Sequence, residues 1–181
     1  MNTPATIDPA ALLQAIEDCC NASAASLPNG AEVKDEWSSV AFRVGGHNLL
    51  ACLGEVIETL EYPPLTQVPN TSAWVHGIAN VRGKLLPIVD LNAFLGNAPA
   101  SISPRTRVLV LDCDGFYSGL VVDEVFGLKH FPETNCRVAP EIFDTSLGGY
   151  VTQGFYVDDS FWGIFSFTAL AGSPQFLKTA V

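Results

Sequence analysis

The chain has 181 residues, 48% of them hydrophobic and only 15% charged, with a net charge of -10. That is enough apolar material for one substantial core or two small subdomains. It lacks the clustered Lys and Arg that nucleic acid or an anionic membrane surface would require. The five cysteines, Cys19, Cys20, Cys52, Cys113 and Cys136, are odd in number and form no CxxC. No uncharged apolar run reaches the ~18 residues of a membrane span, and no basic, apolar leader opens the chain. These features predict a cytoplasmic protein with structural thiols and no direct membrane insertion.

Asp8-Pro9 is a helix start, because Asp caps and Pro is tolerated at the first helical position. Leu12, Leu13, Ile16, Cys19 and Cys20 follow at helical spacing. Residues 22–36 are small or polar and read as a linker, so residues 1–37 form an N-terminal helical arm. From Ser38 the pattern becomes β. "SVAFRV" and "HNLLACL" flank Gly45-Gly46, "RVLVLDC" and "FYSGLVV" flank Asp114-Gly115, and "YVTQGFYV" and "FWGIF" flank Asp158-Asp159-Ser160. Each is a hairpin around turn-forming residues. "IANV" and "KLLPIV" read as strands on either side of Arg82-Gly83.

The hairpins belong to an internal repeat. Glu55-Val56 and Glu124-Val125 follow the first two hairpins, 69 residues apart. "LLPIVDLNAFLG" and "FWGIFSFTALAG" align at a spacing of 76, each a strand, an N-cap (Asp90 or Ser166), a short helix and Gly. Two copies of a unit of about 70 residues, with short twisted sheets that hide their edges by curling, predict paired small barrels. The second copy is expected to share edges with the first.

Enzyme signatures are missing: the chain holds no GxSxG, HExxH, Walker loop or GxGxxG. His47, His76 and His130 are scattered, and "DCDG" lacks the later acidic positions of a calcium loop. No cofactor and no metal are expected. Arg82 stands out, because the β-turn around it needs Gly, Asp or Asn but not a cation. It reads either as a solvated surface residue or as an interface cation, a role for which the planar guanidinium suits Arg.

"VHGIANVRGKLLPIVDLNAFLG" resembles the signature of CheW-like domains, the adaptor modules of bacterial chemotaxis. The matching positions are Gly77, Asn80, Val81, Arg82, Gly83, Pro87, Val89, Asp90 and Leu91. "GLVVDEV" is similar to the family's second-half segment and "WGIFSFTAL" to its last strand and helix. The resemblance implies a mainly β fold of two intertwined five-stranded SH3-like barrels over residues 38–173, followed by a tail, 174–181. It implies a non-catalytic adaptor that binds the regulatory domain of a chemotaxis-type histidine kinase and the cytoplasmic tip of a methyl-accepting chemoreceptor. Carried over by position, Val56, Glu58, Asn80, Arg82, Val122 and Asp123 are the expected partner-binding residues. The long arm and the aromatic content resemble the pilus-associated, twitching-motility branch. The alternatives are a small β-scaffold hydrolase or metal-dependent enzyme, and a CheW-like kinase competitor.

Overall fold

The computed structural model describes Ala10, Leu13, Gln14 and residues 36–177 except 114, 142, 144–146 and 148. The chain divides into two units, Met1–Lys34 and Asp35–Val181. In the first, Ala10, Leu13 and Gln14 are helical. Leu12, Ile16, Cys19, Cys20 and the linker 22–35 lie outside the described residues, as does most of the segment 141–148.

Among the described residues the second unit has eleven strands in two sheets. One holds β3 (Val56–Glu61), β6 (Arg107–Cys113), β7 (Phe116–Val122), β5 (Lys84–Asp90) and β4 (Val75–Val81), in that order. The other holds β8 (Glu124–Pro132), β1 (Glu36–Val44), β2 (His47–Cys52), β11 (Ser160–Phe165), β10 (Val151–Val157) and β9 (Arg137–Val138). The expected five strands per sheet are present, and the two-residue β9 adds a sixth to one of them.

The four expected hairpins form, and the repeats interlock through them. Hairpin β1–β2 of the first repeat lies between β8 and β11 of the second. Hairpin β6–β7 of the second repeat lies between β3 and β5 of the first. The two insertions mirror each other, since β2 runs parallel to β11 and β7 runs parallel to β5. Each repeat therefore lacks a hairpin of its own sheet and borrows the other's.

Burial explains why the inserted strands read as continuous apolar runs. In β6, Leu109 and Leu111 enter the large core shared by the two sheets, while Val108 and Val110 face a smaller core of their own sheet. In β1, Val40, Phe42 and Val44 face the shared core, and Ala41 faces a third cluster with Leu50, Phe131, Phe155 and Trp162. Both faces are covered along Val108–Leu111 and Val40–Phe42, so alternation with polar residues is absent there. Each fully buried Leu or Phe contributes roughly 1.5–3 kcal/mol.

Two short helices begin at the expected caps. Asp90 accepts from Ala93 N at 3.1 Å to start α1 (Leu91–Phe94). Ser166 accepts from Ala169 N at 3.2 Å to start α2 (Phe167–Ala171). The expected tail begins instead with a short helix, α3 (Pro174–Leu177). Its Phe176 is buried and meets Phe94 edge-on with ring centroids 4.9 Å apart. The sequence read as a tail because a single aromatic in four helical residues gives no periodic signal.

Candidate partner-binding surface

Arg82 opens the turn between β4 and β5. Arg82 and Gly83 both have positive φ, 51° and 82°, the arrangement of the primed hairpin turn. Arg has a Cβ that disfavours this region, at a cost of about 1–2 kcal/mol. Local bonds hold the conformation. The Asn80 carboxamide oxygen accepts from Gly83 N at 2.9 Å, and the Arg82 guanidinium donates to the Glu58 carboxylate. Arg82 nevertheless keeps 79% of its side-chain surface exposed.

The pair has a position as well as a charge. Glu58 lies on β3 and Arg82 directly follows β4, and these are the two edge strands of the five-stranded sheet. Their ion pair spans the seam between those edges. Below it, Thr66 in the β3–β4 connection bridges to Ile78 through two backbone hydrogen bonds of 2.9 Å. Gly77 permits that approach, since it has φ 138° and an added Cβ would overlap the Thr66 carbonyl.

Apolar side chains flank the turn. Leu85, opposite Asn80 in the β4–β5 register, is exposed. Ile57 precedes Glu58 and is exposed at a bulge, where Val56 pairs with Leu111 and Glu58 with Val110. The second repeat carries the same bulge 69 residues on, at Phe126 between Val125 and Gly127. Bulges turn an extra side chain out of a strand. The Arg43 guanidinium lies 4.8 Å from the Phe126 ring centroid and 3.4 Å from Glu124.

The six expected residues thus divide. Arg82 is bonded to Glu58, and Asn80 accepts from the adjacent Gly83 N, so these three lie at one turn. Val56 is partly buried against the shared core. Val122 has no exposed surface and lies in that core, because β7 is covered on both faces. Asp123 accepts from Gly45 N at 2.8 Å and so fastens the β1–β2 turn. Val122 therefore offers no contact area here, and the role recorded for Asp123 is structural.

A second polar group escaped sequence reasoning. The Asp90 side chain is fully buried, and besides capping α1 it accepts from Ala100 N at 2.7 Å and lies 3.3 Å from His76 Nε2. Burial alone would raise its pKa, but the bonds from His76, Ala100 and Ala93, with the His76 charge, hold it below the ordinary value. His76 Nδ1 in turn lies 2.9 Å from the Tyr62 hydroxyl. Glu55 behaves oppositely: burial pushes its carboxyl up, partly offset by bonds from Cys52 N and Thr168. Among the described residues, no group of three or more His, Cys, Asp or Glu could hold a metal ion, and no helix is long and apolar enough to cross a membrane.

Residues 38–175, which hold the interlocked sheets and the Arg82 turn, match the CheW-like domain. The chain belongs to that family. Protein PilI of Pseudomonas aeruginosa is 41% identical over 174 residues, 96% of this chain and 97% of that protein. This likeness groups the chain with the pilus-associated branch. FrzA of Myxococcus xanthus is 34% identical over 119 residues, 66% of this chain and 71% of that protein. In structure, the scaffolding protein TtCheW of Thermoanaerobacter tengcongensis aligns with a TM-score of 0.64 at 24% identity, covering 72% of this chain and 88% of that one. The chain is an adaptor of chemotaxis-type signal transduction, in a family whose members couple receptors to a kinase.

Proposed function

We propose that this adaptor joins the cytoplasmic tip of a methyl-accepting chemoreceptor to the regulatory domain of a chemotaxis-type histidine kinase, in the cytoplasm and without catalysis of its own. The system it serves is pilus-based twitching motility, a reading supported by the likeness to PilI. The observation that carries the partner assignment is Arg82. An exposed guanidinium is held in a left-handed turn by Glu58 and Asn80, with Ile57 and Leu85 exposed beside it. A preorganised cation among apolar side chains is the composition of a protein-binding hot spot.

Glu58, Asn80 and Arg82 form the kinase-facing contact, with Val56 beneath it. Val122 and Asp123 act through shape, by packing the core and fixing the β1–β2 turn. Residues 38–173 carry the adaptor activity, residues 1–37 are a separate arm, and the end of the chain contributes Phe176 to the core. Size-exclusion chromatography with the purified kinase regulatory domain and a soluble receptor-tip coiled coil tests the reading. Co-elution of all three components is expected, and failure to bind either partner would overturn it.

A further inference from the structure

Asp90, His76 and Tyr62 form a continuous path from a fully buried carboxylate to a surface cleft. The cleft has a volume of 490 Å³ and is lined by Tyr62, Pro63, Pro64, Leu65, Gln67, Val75 and His76. The His76 side chain is 20% exposed, so protons from solvent reach it, whereas Asp90 is 0% exposed. We propose that His76 is a proton-operated switch that reverses its hydrogen bond to Tyr62, and so changes what this cleft offers a ligand.

The buried carboxylate sets the chemistry of the ring. Asp90 already accepts from two backbone N–H groups, and an ionised carboxylate is an acceptor only. His76 Nε2 therefore keeps its proton in both charge states and donates to Asp90. The atom left to titrate is Nδ1. In the neutral ring Nδ1 is an acceptor, and the Tyr62 O–H donates to it. In the charged ring Nδ1–H donates to the Tyr62 oxygen, whose own proton is then free. Acidification so turns Tyr62 from a satisfied donor into an available one for a hydrogen-bond acceptor seated against Pro63, Pro64, Leu65 and Val75.

The titratable groups recorded against the ring are Asp90, from the end of β5, and Tyr62, from the β3–β4 connection. Glu61 and Arg107 share a second cleft with Tyr62. Tyr62 is itself held in the neutral phenol form, since burial and then the Asp90 charge raise its pKa. Its hydroxyl therefore keeps a proton to redirect.

The test uses the full chain, with the imidazole nitrogens observed by NMR between pH 5 and 8 and the tyrosine Raman doublet, which distinguishes donating from accepting phenols, followed in parallel. Nε2 of His76 should stay protonated throughout while Nδ1 alone titrates. The Tyr62 signal, identified by its loss in Tyr62→Phe, should change from donor to acceptor at the same midpoint as pH falls. In His76→Gln the Tyr62 response should vanish, and should that variant fail to fold, the wild-type titration decides alone. A neutral ring protonated on Nδ1, or a Tyr62 signal that ignores the His76 midpoint, overturns the proposal.

Discussion

The β4–β5 turn of the first repeat and the β10–β11 turn of the second occupy equivalent places, 76 residues apart. Both hold two residues at positive φ, Arg82 and Gly83 in one, Asp158 and Asp159 in the other. The fold therefore asks for a left-handed turn at each place and is indifferent to its charge. Yet among the described residues only the first turn is tied across a seam, because β3 carries Glu58 where β8 carries Gly127. The helix starts differ in the same way. Ser166 is a cap and little more, whereas Asp90 is a cap with two further partners. The repeats share geometry, and the first has added fixed charge to it.

The largest effect should come from separating the two caps. Asp90→Ala leaves Ala100 N and His76 without their buried acceptor and should cost about 3 kcal/mol or more, against about 1 kcal/mol for Ser166→Ala. Denaturant midpoints of the two variants measure the gap. The gap also depends on pH. Because the folded Asp90 pKa is depressed, its stabilisation is complete above the unfolded value of about 3.9 and is lost as pH falls through the folded value. The gap should therefore begin to narrow below about pH 4 and close only once pH is below the folded value. A gap unchanged at acid pH would mean that Asp90 acts by packing alone.

Exchanging the second turn residues should give smaller, opposite shifts. Asp159→Gly creates the Asp-Gly pair such a turn prefers and should gain roughly 0.5–1 kcal/mol. Gly83→Asp should lose a similar amount, since its φ is 82°. Thermal melts of both variants check the equivalence of the turns, and shifts of the same sign would break it.

The smallest effect concerns Glu55, whose counterpart Glu124 is paired with Arg43. The folded Glu55 pKa is raised, so the fold favours its neutral form. Its contribution is present below the unfolded pKa and is lost as pH rises through the folded one. Glu55→Gln should thus raise the melting temperature slightly at pH 7 and leave it unchanged near pH 4. Melts at the two pH values decide it, and a drop at pH 7 would contradict the sign.

Local features were legible in the sequence. The hairpins were readable because turn residues and strand runs are neighbours in the chain, and the caps because Asp90 and Ser166 act on residues three positions away. The family signature placed Arg82. Contacts between distant segments were not readable. The parallel pairings β5–β7 and β2–β11 follow from which hairpin each sheet borrows, and only the shared edges were expected. His76 lies fourteen residues before Asp90 with nothing to link them until β4 and β5 pair. The burial of Val122 follows from the run of three apolar residues in "GLVV", the signal of a strand covered on both sides, which the family pattern does not carry.

The central claim is that the charged turn of the first repeat, and not its acidic counterpart, contacts the kinase. Calorimetric titration of the kinase regulatory domain with Arg82→Glu and Asp158→Lys tests it directly, with thermal melts as the folding control. Arg82→Glu removes an exposed ion pair and should cost about 1 kcal/mol or less in stability, while weakening binding by about 2 kcal/mol, some thirtyfold. Asp158→Lys should leave that affinity within about threefold. Normal binding by a folded Arg82→Glu protein would contradict the account.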